Sequence, residues 1–150
     1  MAYVKGLNQN PELIARVGNA AKYLPFIPPL HGRSELRLTA LKPIGILRKP
    51  YIKLEADAYA AQNEFYALDN TETATPGYTL WNIGCGSAFT NKTGKTLFDV
   101  FLQVDNLFDT AYQSNLNRLK YFEYYQASPN GRSGIYNIGR NISFKVIVPF

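Results

Sequence analysis

The chain has 150 residues, of which 46% are apolar, 14% aromatic and 18% charged. This composition excludes intrinsic disorder, which needs low hydrophobicity and high net charge, and no stretch approaches the roughly 18 uninterrupted apolar residues of a membrane helix. The net charge of +5 is uneven: residues 1–50 carry eight Lys/Arg and two Asp/Glu, residues 51–112 three and eight, and residues 113–150 five and one. No basic cluster exceeds Arg48-Lys49, so no nucleic-acid partner is expected.

Chemistry-bearing residues are sparse. Cys85 is the lone cysteine, so no internal disulfide and no cysteine-based metal site can form. His31, the lone histidine, sits in Pro28-Pro29-Leu30-His31-Gly32 and reads as a solvated loop residue rather than a ligand. There is no supported Ser/His/Asp set, no GxGxxG and no P-loop. No catalytic residue, metal site or cofactor is expected, and the chain is not expected to be an enzyme. Residues 1–20 have neither the basic start nor the apolar stretch of a signal peptide.

In chain order, residues 11–21 are the best helix candidate. Asn10 can cap it, Pro11 suits the first turn, and Leu13 and Val17 are four apart. Residues 24–30 must be extended, because each proline biases its predecessor away from helix. The period then becomes two. Leu36, Leu38 and Ala40 oppose Glu35, Arg37 and Thr39. Ile52, Leu54, Ala56, Ala58 and Ala60 oppose Lys53, Glu55, Asp57 and Tyr59. Trp81, Ile83, Cys85 and Phe89 oppose Asn82, Gly84, Gly86 and Ala88. Phe98, Val100, Leu102 and Val104 oppose Asp99, Phe101, Gln103 and Asp105. Ile142, Phe144, Val146, Val148 and Phe150 oppose Ser143, Lys145 and Ile147. Such alternation marks strands with one apolar and one polar face. Residues 112–121 alternate poorly, and are assigned a strand because their neighbours need an antiparallel partner. Asn91–Lys95 and Thr75–Gly77 read as turns, and residues 122–139 as a polar, aromatic surface loop.

Alternation alone fits two architectures. In a soluble β-sandwich or barrel that binds a ligand or partner, the apolar faces are dry cores. In a membrane barrel they face lipid. Mid-strand charge at Lys53, Glu55, Asp57, Asp99 and Asp105 favours the barrel. So does the concentration of rings near strand ends (Tyr51, Phe65, Tyr66, Tyr78, Phe108, Tyr112, Tyr121, Phe122), which is read as an aromatic girdle.

Asn106-Leu107-Phe108-Asp109, followed by Tyr112, is similar to the NLFDxxY turn of TonB-dependent outer-membrane receptors. Gly139-Arg140-Asn141, followed by alternation to Phe150, resembles that family's closing strand. Leu24–Pro29 and Thr75–Tyr78 resemble its periplasmic turns, and Ala2–Gly6 the end of an earlier strand. The resemblance implies an all-β, antiparallel 22-stranded barrel, of which this chain is about the last six strands and incomplete on its own. Residues 1–33 would hold a preceding strand end and a periplasmic turn with a short helix. The six strands, within 34–150, would lie near 34–41, 51–62, 78–90, 97–108, 111–121 and 141–150. The NLFD turn would be periplasmic; the turns near 42–50 and 91–96 and the loop 122–139 would be extracellular.

The resemblance also implies a function: uptake of a ferric siderophore, cobalamin, saccharide or peptide across the outer membrane of a Gram-negative bacterium. The implied partners are outer-membrane lipid, a missing N-terminal barrel and plug, the TonB complex through that plug, and the barrel-assembly machinery. Tyr124, Tyr125, Arg132 and Tyr136 would touch ligand. Phe144, Val146, Val148 and Phe150 would form the assembly signal. Because six strands cannot close a barrel, the chain is expected to be a truncated product or partial gene model.

Overall fold

The computed structural model describes residues 1–121 and 134–149. Its described residues contain helix α1 (Pro11–Val17) and five strands: β1 (His31–Thr39), β2 (Leu47–Tyr59), β3 (Tyr78–Thr90), β4 (Thr96–Asp105) and β5 (Asn141–Ile147). The strands form one antiparallel sheet in chain order, β1-β2-β3-β4-β5. The helix starts as its sequence dictates: the Asn10 side chain accepts from the Leu13 N–H, Pro11 opens the first turn, and Gly18 at φ 64° ends it. A 3-10 turn, Gly18–Ala21, follows.

The chain divides into two compact units. The first comprises Met1–Gly32, Ala58–Thr79 and Ala111–Asn137. It holds α1 and the long connecting segments, tied by polar bonds. Glu72 accepts from the Phe26 and Tyr66 N–H groups, both at 3.1 Å. The Lys120 ammonium donates to the Thr75 hydroxyl at 2.6 Å. The second comprises Arg33–Asp57, Leu80–Thr110 and Ile138–Phe150, and is the body of the sheet.

The sheet is inverted relative to a water-soluble one. Leu36 and Leu38 are each 64% exposed and Phe144 67%, whereas Glu55 is 6% and Asn82 7% exposed. Cross-strand pairing carries the apolar face across β3, β4 and β5 in the rows Ile83–Val104–Ile142 and Cys85–Leu102–Phe144. Toward the strand ends, Phe89 stacks on its partner Phe98 with ring centres 4.8 Å apart. Among the described residues, Ala21 is the one buried hydrophobic side chain. The dry cores expected of a soluble sandwich are therefore absent from the described residues.

The polar face is packed instead. Lys53 donates to Glu55 at 3.0 Å, and the Gln103 amide donates to Glu55 at 3.2 Å and to Asp105 at 3.0 Å. Small residues on β3 make room for these long side chains. A Cβ on Gly86 would sit 2.9 Å from both the Val100 carbonyl oxygen and the Tyr51 ring.

Two expectations are corrected. The strand expected over 111–121 does not form: β4 pairs directly with β5, with Asp105 opposite Asn141 and Asp99 opposite Ile147. The polar side chains of 111–121 bond locally and to other segments in place of a ladder. Asn117 accepts from Leu119 N and donates to Ile135 O, and Asn115 donates to Ile27 O. The expected sides change with it. Connections 40–46 and 91–95 leave one end of the sheet, where β5 also finishes. Connections 60–77 and 106–140 leave the other. The NLFD turn and the loop 122–139 thus belong to one connection, opposite the two short turns.

Gly86→Val is expected to lower the stability of the chain in detergent micelles by about 1–3 kcal/mol, because the new side chain meets a carbonyl of the neighbouring strand. Denaturant titration followed by tryptophan fluorescence measures it.

Candidate functional site

Two constellations lie at the end of the sheet from which the long connections leave. The first is a polar chain in the sheet unit. Asp57 accepts a two-pronged bond from Arg33 at 2.6 and 3.1 Å, and a third bond from the Asn82 amide at 3.0 Å. The Asn82 carbonyl oxygen accepts from the Asn106 N–H at 2.9 Å. Asn106, 3% exposed, then clasps Thr110: its amide donates to the Thr110 carbonyl at 2.9 Å and its oxygen accepts the Thr110 N–H at 2.8 Å.

The turn explains its own sequence. Asn106 at φ 51° and Asp109 at φ 54° occupy the left-handed region, which Asn and Asp tolerate better than most residues. The Asp109 N–H donates to the Asn106 carbonyl at 2.9 Å, and the Leu107 N–H to the Trp81 carbonyl at 2.6 Å. The Asp109 carboxylate accepts the Arg140 N–H at 2.7 Å. A Cβ on Gly139 would lie 2.6 Å from that carboxylate oxygen, so glycine is what permits the approach. The structure thus joins the two halves of the expected motif: Asn106 and Asp109 on one side, Gly139, Arg140 and Asn141 on the other. Phe108 is exposed, and Leu107 and Tyr112 are half-buried.

The second constellation is a ladder of rings in the first unit. His31, Tyr59, Tyr78 and Tyr112 follow one another with ring centres 5.4, 4.7 and 4.6 Å apart. His31, Tyr59 and Tyr78 have the strand parity of Arg33, Asp57 and Asn82, so they belong to the polar face. The girdle expected to include Tyr78 and Tyr112 is in this respect corrected: those rings pack on one another, and Phe89–Phe98 is the stacked pair of the apolar face. His31 is likewise no loop residue. It opens β1, with Nδ1 2.9 Å from the Pro29 carbonyl. Burial, with a smaller contribution from nearby Tyr59, pushes the Tyr112 hydroxyl above its ordinary pKa.

Of the expected ligand residues, Tyr124, Tyr125 and Arg132 lie outside the described residues. Tyr136 is described and lines a shallow cavity with Pro76, Gly77, Tyr78, Tyr112 and Gln113. Of the expected assembly signal, Phe144 and Val146 lie on β5, Val148 just beyond it, all three exposed, and Phe150 lies outside the described residues. The sequence reading missed Arg33, Asp57, Asn82, Thr110, His31 and Tyr59 as members of these constellations. The available signal was parity: His31, Arg33, Asp57, Tyr59 and Asn82 fall on the polar face of their strands, at the same end.

No protein-family model matches the chain, and no curated protein sequence matches it. Among solved structures it is similar to one described as copper transporter OprC, with a TM-score of 0.64 and 22% identity. The match covers 87% of this chain and 19% of that one, so this chain spans about a fifth of its structural neighbour. The likeness shows the fold, an all-β antiparallel sheet consistent with part of a barrel, and the neighbour is a transporter rather than an enzyme.

Asn106→Ala is expected to cost about 2–3 kcal/mol, two hydrogen bonds plus left-handed strain. Asn106→Gly, which relieves the strain, should recover about 1 kcal/mol of it. Chemical denaturation of the three proteins checks this order. Tyr112 favours the protonated folded state, a contribution present below about pH 10 and lost as pH rises through the raised value. An absorbance titration at high pH should show a late phenolate phase that Tyr112→Phe removes.

Proposed function

We propose that the chain forms part of the wall of a TonB-dependent transporter in the outer membrane of a Gram-negative bacterium. The transporter takes up a scarce nutrient of the ferric siderophore, cobalamin, saccharide or peptide class. The inverted sheet carries this reading. Leu36, Leu38, Ile52, Leu54, Leu97, Leu102, Ile142, Phe144 and Val146 are all exposed. Left in water, they forgo roughly 1 kcal/mol each, on the order of 10 kcal/mol in sum, comparable with the whole stability of a domain. Lipid removes that cost, and the polar face then lines an aqueous lumen. Strands of 9, 13, 13 and 10 residues for β1 to β4 suit a tilted crossing.

The fold likeness to a transporter supports the transport role. The 150 residues act as a partial chain: the share of the neighbour covered and the two sheet edges at β1 and β5 support this, because unpaired edges in lipid cost several kcal/mol per group. The remaining barrel, the plug and the TonB contact through it come from further residues. The barrel-assembly machinery reads the alternating Phe144, Val146, Val148 and Phe150. Outer-membrane barrels have short periplasmic turns and long outer loops, so connections 60–77 and 106–140 face the outside. Tyr136, beside the ring ladder, then borders the ligand mouth, to which Tyr124, Tyr125 and Arg132 also contribute in this reading. Copper is the cargo of the neighbour alone; here no His/Cys/Asp/Glu group suited to a metal occurs among the described residues.

Cys85 provides the test, because it is exposed on the apolar face opposite Leu102. A polarity-sensitive dye on Cys85 of the chain in lipid vesicles should be quenched by nitroxide-bearing lipid and shielded from iodide. Full quenching by iodide with no effect of the lipid quencher overturns the proposal.

A further inference from the structure

We infer that the polar face of the sheet, at its short-connection end, binds the phosphate group of a water-borne solute through Arg37, Arg48 and Lys49. The inference goes beyond the function proposed above, which supplies only access to this face from an aqueous lumen. Residues 36–54 include Arg37, Lys42, Arg48, Lys49 and Lys53 and no Asp or Glu. Arg37, Arg48 and Lys49 are exposed and line one open cavity of about 290 Å3 together with Tyr51, Thr96 and Phe101. No carboxylate belongs to its lining. The ion pairs among the described residues engage Lys5, Arg33 and Lys53, and leave these three cations out. Just beyond the lining, Lys145 is opposite Phe101 and Asp99 is opposite Ala88, so their charges offset one another.

Three features build the cavity. Its floor is aromatic. Tyr51 and Phe101 have the strand parity of Lys53 and Gln103, and both rings close on Gly86: a Cβ there would lie 2.9 Å from Tyr51 and 2.8 Å from Phe101. Arg37 lies with its guanidinium carbon 3.7 Å from the Tyr51 ring centre. Stacking holds the planar cation in place and leaves its N–H edge able to bind an oxyanion in two-pronged fashion. The third feature is a break in alternation. A regular strand would turn Arg48 and Lys49 to opposite faces, yet both line the cavity. Lys49 adopts φ 51°, although Pro50 follows it and favours an extended predecessor. Backbone strain of this kind collects at ligand sites.

The donor set selects the ligand. Three like charges around one cavity repel one another, and a bound anion turns that repulsion into attraction. A guanidinium offers paired N–H groups that match two oxygens of a phosphate, and an ammonium binds a further oxygen as a point charge. The Thr96 hydroxyl in the lining is able to donate as well. A phosphate group brings three acceptor oxygens and close to two negative charges. A carboxylate brings two oxygens and one charge, and so leaves part of this set unmatched.

Titration calorimetry of the 150-residue chain in uncharged detergent micelles tests the inference, with inorganic phosphate, glycerol 3-phosphate and acetate as probes. Wild type should bind a phosphate probe saturably, at least about tenfold tighter than acetate at low salt, and more weakly in high salt. Arg37→Gln/Arg48→Gln/Lys49→Gln should weaken that binding by at least about 100-fold. Arg37→Lys keeps the charge but loses the fork, and should weaken it by about tenfold. The charge-matched control Arg16→Gln/Lys22→Gln/Arg118→Gln should bind as wild type does. The bound probe should also raise the denaturant midpoint of wild type, read by tryptophan fluorescence, and leave that of the triple variant unmoved. Should the triple variant show no cooperative transition, Arg37→Lys decides. Tighter binding of inorganic phosphate identifies a free ion as the ligand, and tighter binding of glycerol 3-phosphate a phosphate monoester; either upholds the site. Absence of saturable binding of both phosphate probes, or acetate binding as tight as theirs, overturns it. So does an equal loss in the control, since net charge then suffices, or an Arg37→Lys chain that binds like wild type.

Discussion

Asp57 is the junction on which the polar face depends. It lies near the end of β2, is nearly buried, and accepts from Arg33 of β1 on one side and Asn82 of β3 on the other. Asn82 in turn holds the backbone of Asn106 after β4. A single carboxylate thus connects three strands to the turn that closes the fourth. A buried carboxylate without partners would cost several kcal/mol; with both partners in place, the bonds fix the lateral order of the strands. The apolar face cannot do this. Apolar contacts are non-directional, so they set which residues share a face and say little about register.

This division of labour explains what the sequence disclosed. The period of two in β2, β4 and β5 was plain because an uninterrupted apolar face takes every second residue of a strand. Asn106 and Asp109 were legible as a motif because few residues suit two left-handed positions in four. The ring ladder was hidden, since His31, Tyr59, Tyr78 and Tyr112 are distant in sequence and only strand pairing brings them together. Residues 111–121 misled for a different reason. An antiparallel neighbour for β4 was needed, and β5 supplies it from 36 residues beyond Asp105, the partner of Asn141. Asparagines that bond nearby backbone are a signal against a strand, and Asn117, which accepts from the Leu119 N–H, carried that signal.

The corrected pairing has a consequence for the loop of interest. With 106–140 as one connection, its two ends are clamped together by Asp109 on Arg140 and by Asn137 on Tyr112. Closing a long loop costs entropy that grows slowly with length, so a few bonds at its neck suffice to anchor it. Tyr136 is held in the neck, beside Tyr78 and Tyr112. The motif residues are therefore the foundation of the long connection.

Strand direction sets the final constraint. β1 and β5 stand at opposite edges of a five-stranded antiparallel sheet, so they run the same way. Two copies joined β5 to β1 would meet in parallel, and outer-membrane barrels are built from antiparallel neighbours in even number. Copies of this sheet cannot close such a wall by themselves. In the barrel proposed above, any further strands would be odd in number and present an antiparallel edge to each side. The chain already exhibits one such approach: Ala2 pairs antiparallel with His31, exchanging bonds of 2.7 and 3.0 Å at the start of β1. At its start the β1 edge thus already pairs with a segment running opposite to it, by the same antiparallel rule that orders the five strands.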